Sequence, residues 1–238
     1  MRVNLFIPCF IDQFYTEIAQ ATVKILNKLN IEILYNSKQT CCGQPSFNSG
    51  YWKETLIAAK HFIQVFDNDL PIIAPSASCT GFIRRNYHKL SSEPNYQDKV
   101  NNIRKRIFEL TDFLVNHLKI TDLGASFNAK ITYHDACTAL REYGIKKEPR
   151  ILLANVKGLK LVEMDLAEQC CGFGGTFSAK FQPISVAMVQ QKVNSAIKTG
   201  AEFIVSTEAS CFMNIQGYID KQKLPIKTIH ITQILANF

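Results

Sequence analysis

The eight cysteines are the residues of this sequence with the clearest capacity for chemistry, and they form two sets of four in the same order. Each set has a single cysteine, an adjacent pair that glycine follows, and a second single cysteine. The sets are Cys9, Cys41, Cys42 and Cys79, and Cys137, Cys170, Cys171 and Cys211. The first cysteine precedes the pair by 32 residues in one set and by 33 in the other. Because order and spacing both recur and no cysteine is left over, we infer an internal duplication.

The expected compartment helps to choose a role for these cysteines. The apolar run at residues 1–7 is too short for a signal peptide, and no later run approaches the roughly 18 apolar residues that a membrane-spanning helix needs. We therefore expect a cytoplasmic protein without a membrane span. Disulfides are rare in that reducing compartment, so the sequence favours metal binding or redox chemistry.

Four thiolates in each set suit either a zinc ion or a [4Fe–4S] cluster. Zinc ribbons usually present short Cys-x-x-Cys turns. Here the ligands come from three distant segments, and two of them are directly adjacent, which suits a cluster of several atoms better than a single ion. The spacing favours iron–sulfur, and zinc or metal-free thiols remain alternatives.

Other residues near the cysteines are candidates for supporting roles. Gly43 and Gly172 follow the two pairs, and glycine permits a close approach of the backbone to a bulky inorganic group. Ser76 and Glu208 each precede the last cysteine of a set by three residues. They are either polar groups of a loop or oxygen donors that tune the two sites differently. His134 lies three residues before Cys137 and is either a ligand or, more commonly at a strand end, a hydrogen-bonded core histidine.

Composition limits the kind of protein and its partners. With 47% hydrophobic and 20% charged residues, a chain of 238 residues buries a substantial core. The net charge is +7, but the densest basic run, residues 104–106, lies in an amphipathic pattern typical of a solvated helix face. We therefore expect no nucleic-acid partner, whereas an acidic protein partner is compatible with the charge.

Hydrophobic periodicity predicts the elements that position the cysteines. In the first half we predict strands at residues 2–7, 31–34 and 70–74 and helices at 14–29, 51–66 and 100–118. In the second half we predict strands at 130–134, 159–164 and 203–206, a candidate fourth strand at 226–229, and helices at 149–155 and 181–199. The segment 121–124 is the expected boundary between halves 1–122 and 123–238.

Strands that alternate with helices imply parallel sheets, so the predicted fold is α/β, with two pseudo-symmetric βαβαβ-type halves. In each half the single cysteines directly follow the first and third predicted strands, and the pair comes after the second. The carboxyl ends of parallel strands share one edge, where ligands bind. Segments that begin at Cys79 and Cys211 are expected helix starts, and their free N–H groups favour an anion such as a thiolate-ligated cluster.

These motifs resemble the cysteine-rich CCG domains of the family that includes the heterodisulfide reductases. Over nearly the full chain the sequence is more similar to the lactate-utilization A group. The segments that carry this similarity are 41–45, 49–51, 75–79, 110–113 and 170–177, the last being Cys-Cys-Gly-Phe-Gly-Gly-Thr-Phe. The resemblance implies an iron–sulfur electron-transfer subunit of a three-protein system that oxidises L-lactate to pyruvate. Its partners would be the other iron–sulfur subunits, and it would not be catalytic alone.

The sequence departs from the full CCG motif at one position in each half. The motif ends in Cys-x-x-Cys, whereas Ser76 and Glu208 occupy the earlier of the two cysteine positions here. This argues against clusters with five thiolates and against disulfide cleavage, while four thiolates suffice for a [4Fe–4S] cluster. A thiol or disulfide reductase and a zinc-stabilised assembly scaffold remain the alternative functions.

Overall fold

Two four-stranded sheets, each entirely parallel, form the framework of the computed structural model, which describes residues 1–238. The first sheet has the order β2-β1-β3-β4, from the strands β1 (Arg2–Leu5), β2 (Glu32–Tyr35), β3 (Ile72–Ala74) and β4 (Ile107–Glu109). The second has the equivalent order β6-β5-β7-β8, from the strands β5 (Ser126–Tyr133), β6 (Lys157–Leu161), β7 (Phe203–Ser206) and β8 (Lys227–His230). The predicted α/β class with two pseudo-symmetric halves is confirmed.

Helices connect the strands of each sheet. Those of the first half are α1 (Cys9–Phe14), α2 (Thr16–Lys28), α3 (Gln44–Asn48), α4 (Trp52–Val65), α5 (Ala77–Asn86), α6 (Pro94–Arg106) and α7 (Leu110–Asp112). Those of the second half are α8 (Lys147–Ala154), α9 (Phe177–Lys180), α10 (Gln182–Lys198), α11 (Ala209–Gln222) and α12 (Ile231–Leu235). Short π-helical turns cover Phe113–His117 and Ala139–Tyr143. No helix combines the length and the apolar character needed to cross a membrane.

The predicted helix over residues 100–118 is wrong. Helix α6 ends at Arg106, the chain then runs through β4, and a new helical segment begins at Leu110. Ile107 takes an extended conformation because it pairs with Ile72 of β3, and the three residues of β4 are all buried. A strand this short has no recognisable period, so the helical pattern on either side concealed it.

The two halves share one hydrophobic core. Its 28 buried residues include Val3 and Ile25 from the first half and Ile131 and Ile234 from the second. Each half also has a smaller core of its own, around Phe62 in the first half and around residues such as Val193 in the second. The continuous core fixes the position of one sheet relative to the other. The proposed division at residues 122 and 123 lies in the segment that joins the Phe113–His117 turn to β5.

Candidate metal centre

The sheet topology brings each set of cysteines to one edge. In the first sheet β1 and β3 are neighbours, and their connections leave toward opposite sides, which opens a crevice at their carboxyl ends. Cys9 begins α1 shortly after β1, and Cys79 lies in the first turn of α5 after β3. Cys137 and Cys211 follow β5 and β7 in the same way.

The four sulfurs of the first set form one connected group. The Cys42 and Cys79 Sγ atoms are 3.4 Å apart, and the Cys41 thiol hydrogen-bonds with those of both Cys9 and Cys42. The Gly43 N–H donates to the Cys41 Sγ at 3.4 Å. None of these cysteines is in a disulfide.

The second set repeats this arrangement. The Cys170 thiol contacts those of Cys137 and Cys171, and Cys171 contacts Cys211. The Gly172 N–H donates to the Cys170 Sγ at 3.4 Å, as Gly43 does in the first half. The fold therefore brings together all the sequence-predicted thiols of each half, and again none is in a disulfide.

The two glycines have positive φ angles, and each backbone packs against a helix. Gly43 has φ +88° and Gly172 has φ +82°. A Cβ atom at Gly172 would lie 2.8 Å from the Ser185 carbonyl oxygen of α10, and one at Gly43 would lie 3.2 Å from the Thr55 Cγ2 of α4. Each glycine therefore lies close to a helix, and its N–H group faces a cysteine sulfur. Contact of either glycine with a cofactor stays a prediction.

Both sets of cysteines line the same cleft, which lies between the two halves. The sequence did not predict this, because nothing in a local pattern specifies how two duplicated halves pack. Besides the eight cysteines, the polar residues that line the cleft are Gln44, Asn48, Ser76, Ser78, Thr138, Glu208 and Ser210. Glu208 is the one acidic residue among the lining residues, and no lysine, arginine or histidine is among them.

Ser76 and Glu208 occupy this cleft as helix caps that contact each other. Ser76 is the N-cap of α5, and Glu208 is the N-cap of α11. The Ser76 Oγ donates to the Glu208 Oε2 at 3.1 Å, and the Ser78 N–H donates to the same oxygen at 2.9 Å. The other oxygen, Oε1, accepts a hydrogen bond from Ser210 Oγ at 2.9 Å. Both residues are almost completely buried.

A histidine and a lysine lie behind the second set of cysteines. His134 is fully buried, and neither of its ring nitrogens has a hydrogen-bond partner. Its potential ligand atom and the sulfurs of Cys171 and Cys211 all lie within 4.8 Å of one another. Burial lowers the pKa of His134 to about 3, so the ring is neutral. The expected hydrogen-bond partner is present only as the nearby Ala167 carbonyl, which acts on the ring without full hydrogen-bond geometry.

Sequence analysis missed Lys192, which is fully buried on α10. Its ammonium group donates to the carbonyl oxygens of Leu166 and Ala167. Burial lowers its pKa to about 8. A comparison of the repeated halves would have found it, since the equivalent helix of the first half has Phe62 at that position.

The donor set of each half fits a metal group. Hydrogen bonds from Cys42 and Cys9 lower the pKa of Cys41 to about 3, whereas hydrogen bonding to Cys41 and burial raise the pKa of Cys9. Without a cation, only some of four thiols this close together can ionise, because each thiolate raises the pKa of its neighbours. A bound metal ion or iron cluster supplies the positive charge that lets all four ionise, as metal ligation requires.

Comparison with known proteins places these features in a family. The profile of a family described as "Cysteine-rich domain" (CCG) matches residues 3–84 and 131–216, which are the two halves of the site. The chain is 41% identical over 235 residues to lactate utilization protein A of Bacillus pumilus, covering 99% of both chains. It is 44% identical over 236 residues to the protein of that name from an Exiguobacterium species, covering 98% of this chain and 96% of the other.

Among solved structures, a hypothetical protein from Helicobacter pylori has the same fold, with a TM-score of 0.64 at 13% sequence identity. The alignment covers 98% of this chain, which spans about half (48%) of the length of that protein. The profile match in both halves and the full-length similarity to curated relatives agree with the duplicated cysteine sets. The chain belongs to the cysteine-rich CCG-domain family and, within it, to the lactate utilization A group.

Proposed function

We propose that the chain is an iron–sulfur electron-transfer subunit of a system that oxidises L-lactate to pyruvate. Each set of four cysteines would hold one [4Fe–4S] cluster, and a bound cluster supplies one-electron redox chemistry. The observation that carries the proposal is the convergence of eight free thiols, in two connected groups, on one cleft. Two redox groups in a common cleft are well placed for electrons to enter at one and leave at the other.

The helices that carry the last cysteines support an anionic group at each site. Cys79 and Cys211 lie in the first turns of α5 and α11, helices of 10 and 14 residues. The positive end of a helix dipole stabilises negative charge within that first turn. A cluster with four thiolate ligands is such an anion, and the same chemistry applies in both halves.

The hydrophobic cores argue against a mainly structural zinc role. Structural zinc usually replaces a core that the chain is too small to form. Here each half has its own apolar cluster and both share a third, so the fold does not need metal to bury its apolar surface.

The lactate assignment rests on the relatives named lactate utilization protein A, which match the chain over its whole length. The cleft itself lacks the groups that lactate oxidation needs. No cation lines it to bind a carboxylate, and the Glu208 side chain is already engaged by Ser76, Ser78 and Ser210. We therefore assign electron transfer to this chain and lactate chemistry to a partner protein of the system.

A redox titration of the anaerobically purified protein, followed by electron paramagnetic resonance, tests this function. We expect two reversible one-electron transitions with iron–sulfur spectra, one from each set of cysteines. Reduction of an added disulfide substrate by a metal-free form would support the reductase alternative. Tightly bound zinc without any redox transition would support the scaffold alternative.

A further inference from the structure

The two halves differ at two residues that stand behind the paired cysteines. The Phe6 N–H donates to the Ile73 carbonyl at 2.9 Å, and the His134 N–H donates to the Val205 carbonyl at 2.8 Å. Because these bonds join equivalent strands at equivalent positions, Phe6 and His134 correspond to each other in the duplicated fold.

The helices behind them differ in the same way. Thr55 of α4 and Ser185 of α10 are equivalent, since each packs against the glycine after a cysteine pair. Seven residues further along the chain lie Phe62 and Lys192. In the first half the Phe6 and Phe62 rings pack edge to face with centroids 5.0 Å apart. The second half therefore has an imidazole and an ammonium group in place of an aromatic pair.

The surroundings of His134 point to a missing partner. The residue is fully buried and neither ring nitrogen has a partner in full hydrogen-bond geometry, which leaves buried polar atoms unsatisfied at a cost to stability. The Ala167 carbonyl lies close enough to the ring to act on it as a hydrogen-bond acceptor, although neither ring nitrogen reaches full hydrogen-bond geometry. Histidines that ligate metal commonly have a backbone carbonyl near the other ring nitrogen, where it orients the ring.

We propose that His134 is a nitrogen ligand of the metal group held by the second set of cysteines, beside Cys171 and Cys211. The ligand atoms of these three residues lie within 4.8 Å of one another. Imidazole is a good ligand for iron and for zinc. The second set then offers five donors, four thiolates and one imidazole, whereas the first set offers four thiolates. This inference rests on the proposed function of the same site.

Lys192 indicates that the second site holds negative charge. A buried ammonium group with no anion nearby is costly, and its two hydrogen-bond partners here are neutral carbonyls. Asp135, a nearby carboxylate, is paired through both oxygens with Arg150. The remaining groups that can be anions near Lys192 are the sulfurs of Cys171, Cys211 and Cys170, and they are anionic when they ligate metal. The second half thus provides both an extra ligand and a countercharge that the first half lacks.

Two physical consequences follow for the redox groups. A [4Fe–4S] cluster takes four protein ligands, so a bound imidazole stands in for one of the four thiolates, and in iron–sulfur centres such a replacement raises the reduction potential. A buried cation stabilises the reduced, more negative state in the same direction. We therefore expect the second site to have the higher potential and to be the one that electrons reach last within this chain.

The test is pulsed electron paramagnetic resonance on anaerobically purified protein whose histidines carry 15N. A hyperfine coupling of a directly bonded nitrogen is expected in the native protein. It should disappear in His134→Phe, which reproduces Phe6 of the first half, and the higher of the two midpoint potentials should fall. His230→Asn is the matched control: His230 is also fully buried, asparagine can still cap α12, and the coupling should persist.

The native spectrum decides the inference even if His134→Phe fails to fold. A protein that contains iron and sulfide but shows no directly bonded nitrogen overturns the ligand assignment and leaves the proposed function intact. A weak coupling alone, as from a ring that donates a hydrogen bond to a ligating sulfur, overturns it as well. A native protein without iron overturns both proposals.

Discussion

The Ser76 hydroxyl donates a hydrogen bond to the Glu208 carboxylate at 3.1 Å, across the boundary between the two halves. These residues occupy equivalent positions, three residues before the last cysteine of each set. Each caps the helix that carries that cysteine. The sequence predicted that they tune two separate sites, whereas the structure shows that the two side chains contact each other.

Glu208 thereby links the helices that carry the two cysteine sets. One carboxylate oxygen accepts from Ser76 and from the Ser78 N–H in the first turn of α5. The other accepts from Ser210 in the first turn of α11. A displacement of either helix would break hydrogen bonds to a buried carboxylate, so this residue holds α5 and α11 in a fixed relationship.

We predict that Glu208→Ala destabilises the protein by about 2–4 kcal/mol, because it leaves buried donors on both helices without an acceptor. Urea denaturation of the metal-free protein measures this. The control is Glu168→Ala, which removes an exposed carboxylate paired with Lys146 and should have a much smaller effect, because solvent screens such a surface pair. Equal effects of the two substitutions would show that the link between the helices contributes nothing.

Alanine substitutions at Gly172 and Gly50 distinguish the effect of a steric clash with α10 from the effect of backbone strain. Both have positive φ, at +82° and +85°, so alanine at either position loses about 1–2 kcal/mol to a left-handed conformation. Only Gly172 has a neighbour in the way, the Ser185 carbonyl 2.8 Å from the new Cβ, whereas nothing lies within 4 Å at Gly50.

We therefore expect Gly172→Ala to be clearly more destabilising than Gly50→Ala in thermal unfolding, and to lower iron bound at the second set. The iron loss follows because the loop must move while it carries Cys170 and Cys171. If both variants keep equal stability and equal iron, the close packing of Gly172 against α10 does not position the cysteine pair.

Substitution of the buried cysteine in each pair tests the two sites separately. Cys42→Ser and Cys171→Ser should each lose about half of the bound iron, since each removes a ligand from only one set. Circular dichroism should remain close to that of the native protein because the sheets pack through apolar cores. Unchanged iron in both variants rules out the ligand assignment, and complete unfolding would indicate a structural metal instead.

Glu109 makes stability depend on pH. This carboxyl group is fully buried at the start of α7, and burial raises its pKa to about 8. One oxygen accepts hydrogen bonds from Thr111 and Asp112, and the other has no partner. The folded state therefore retains a proton that the unfolded state releases above about pH 4.5, and stability falls as pH rises from there to about 8.

Glu109→Gln should remove this dependence, because glutamine resembles the protonated carboxyl and does not titrate. At about pH 5 the variant and the native protein should be similar in stability, and at about pH 8 the variant should be relatively more stable by about 3–5 kcal/mol. Denaturation curves across this range measure the difference. Glu17→Gln, an exposed position on α2, should show no such trend; a parallel response of both variants would contradict the account.

Much of the architecture was predictable because it depends on local pattern. Helices α2, α4 and α10 and strand β7 lie within a residue or two of their predicted bounds, since their apolar residues follow a clear period. Strand β5 starts earlier than predicted, at Ser126, where its pairing with β6 is irregular. Strand β4 was missed because three residues, paired only through the neighbouring β3, leave no periodic signal.

The candidate site was predictable within each half but not between the halves. Duplicated spacing identified the thiols and the equivalence of Ser76 and Glu208, because strand order alone brings those residues to one edge. The shared cleft and the contact between Ser76 and Glu208 depend on how the two sheets pack, which no local pattern specifies. Lys192 was missed because its helix has an ordinary amphipathic pattern, and only alignment with Phe62 shows that it replaces a core residue.

The central claim is that both sets of cysteines hold iron–sulfur clusters. Its most direct test is the content of iron, acid-labile sulfide and zinc per chain in protein purified without oxygen. The account predicts about eight iron and eight sulfide per chain, as for two [4Fe–4S] clusters, with little zinc. Stoichiometric zinc without sulfide, or no metal at all, would contradict it.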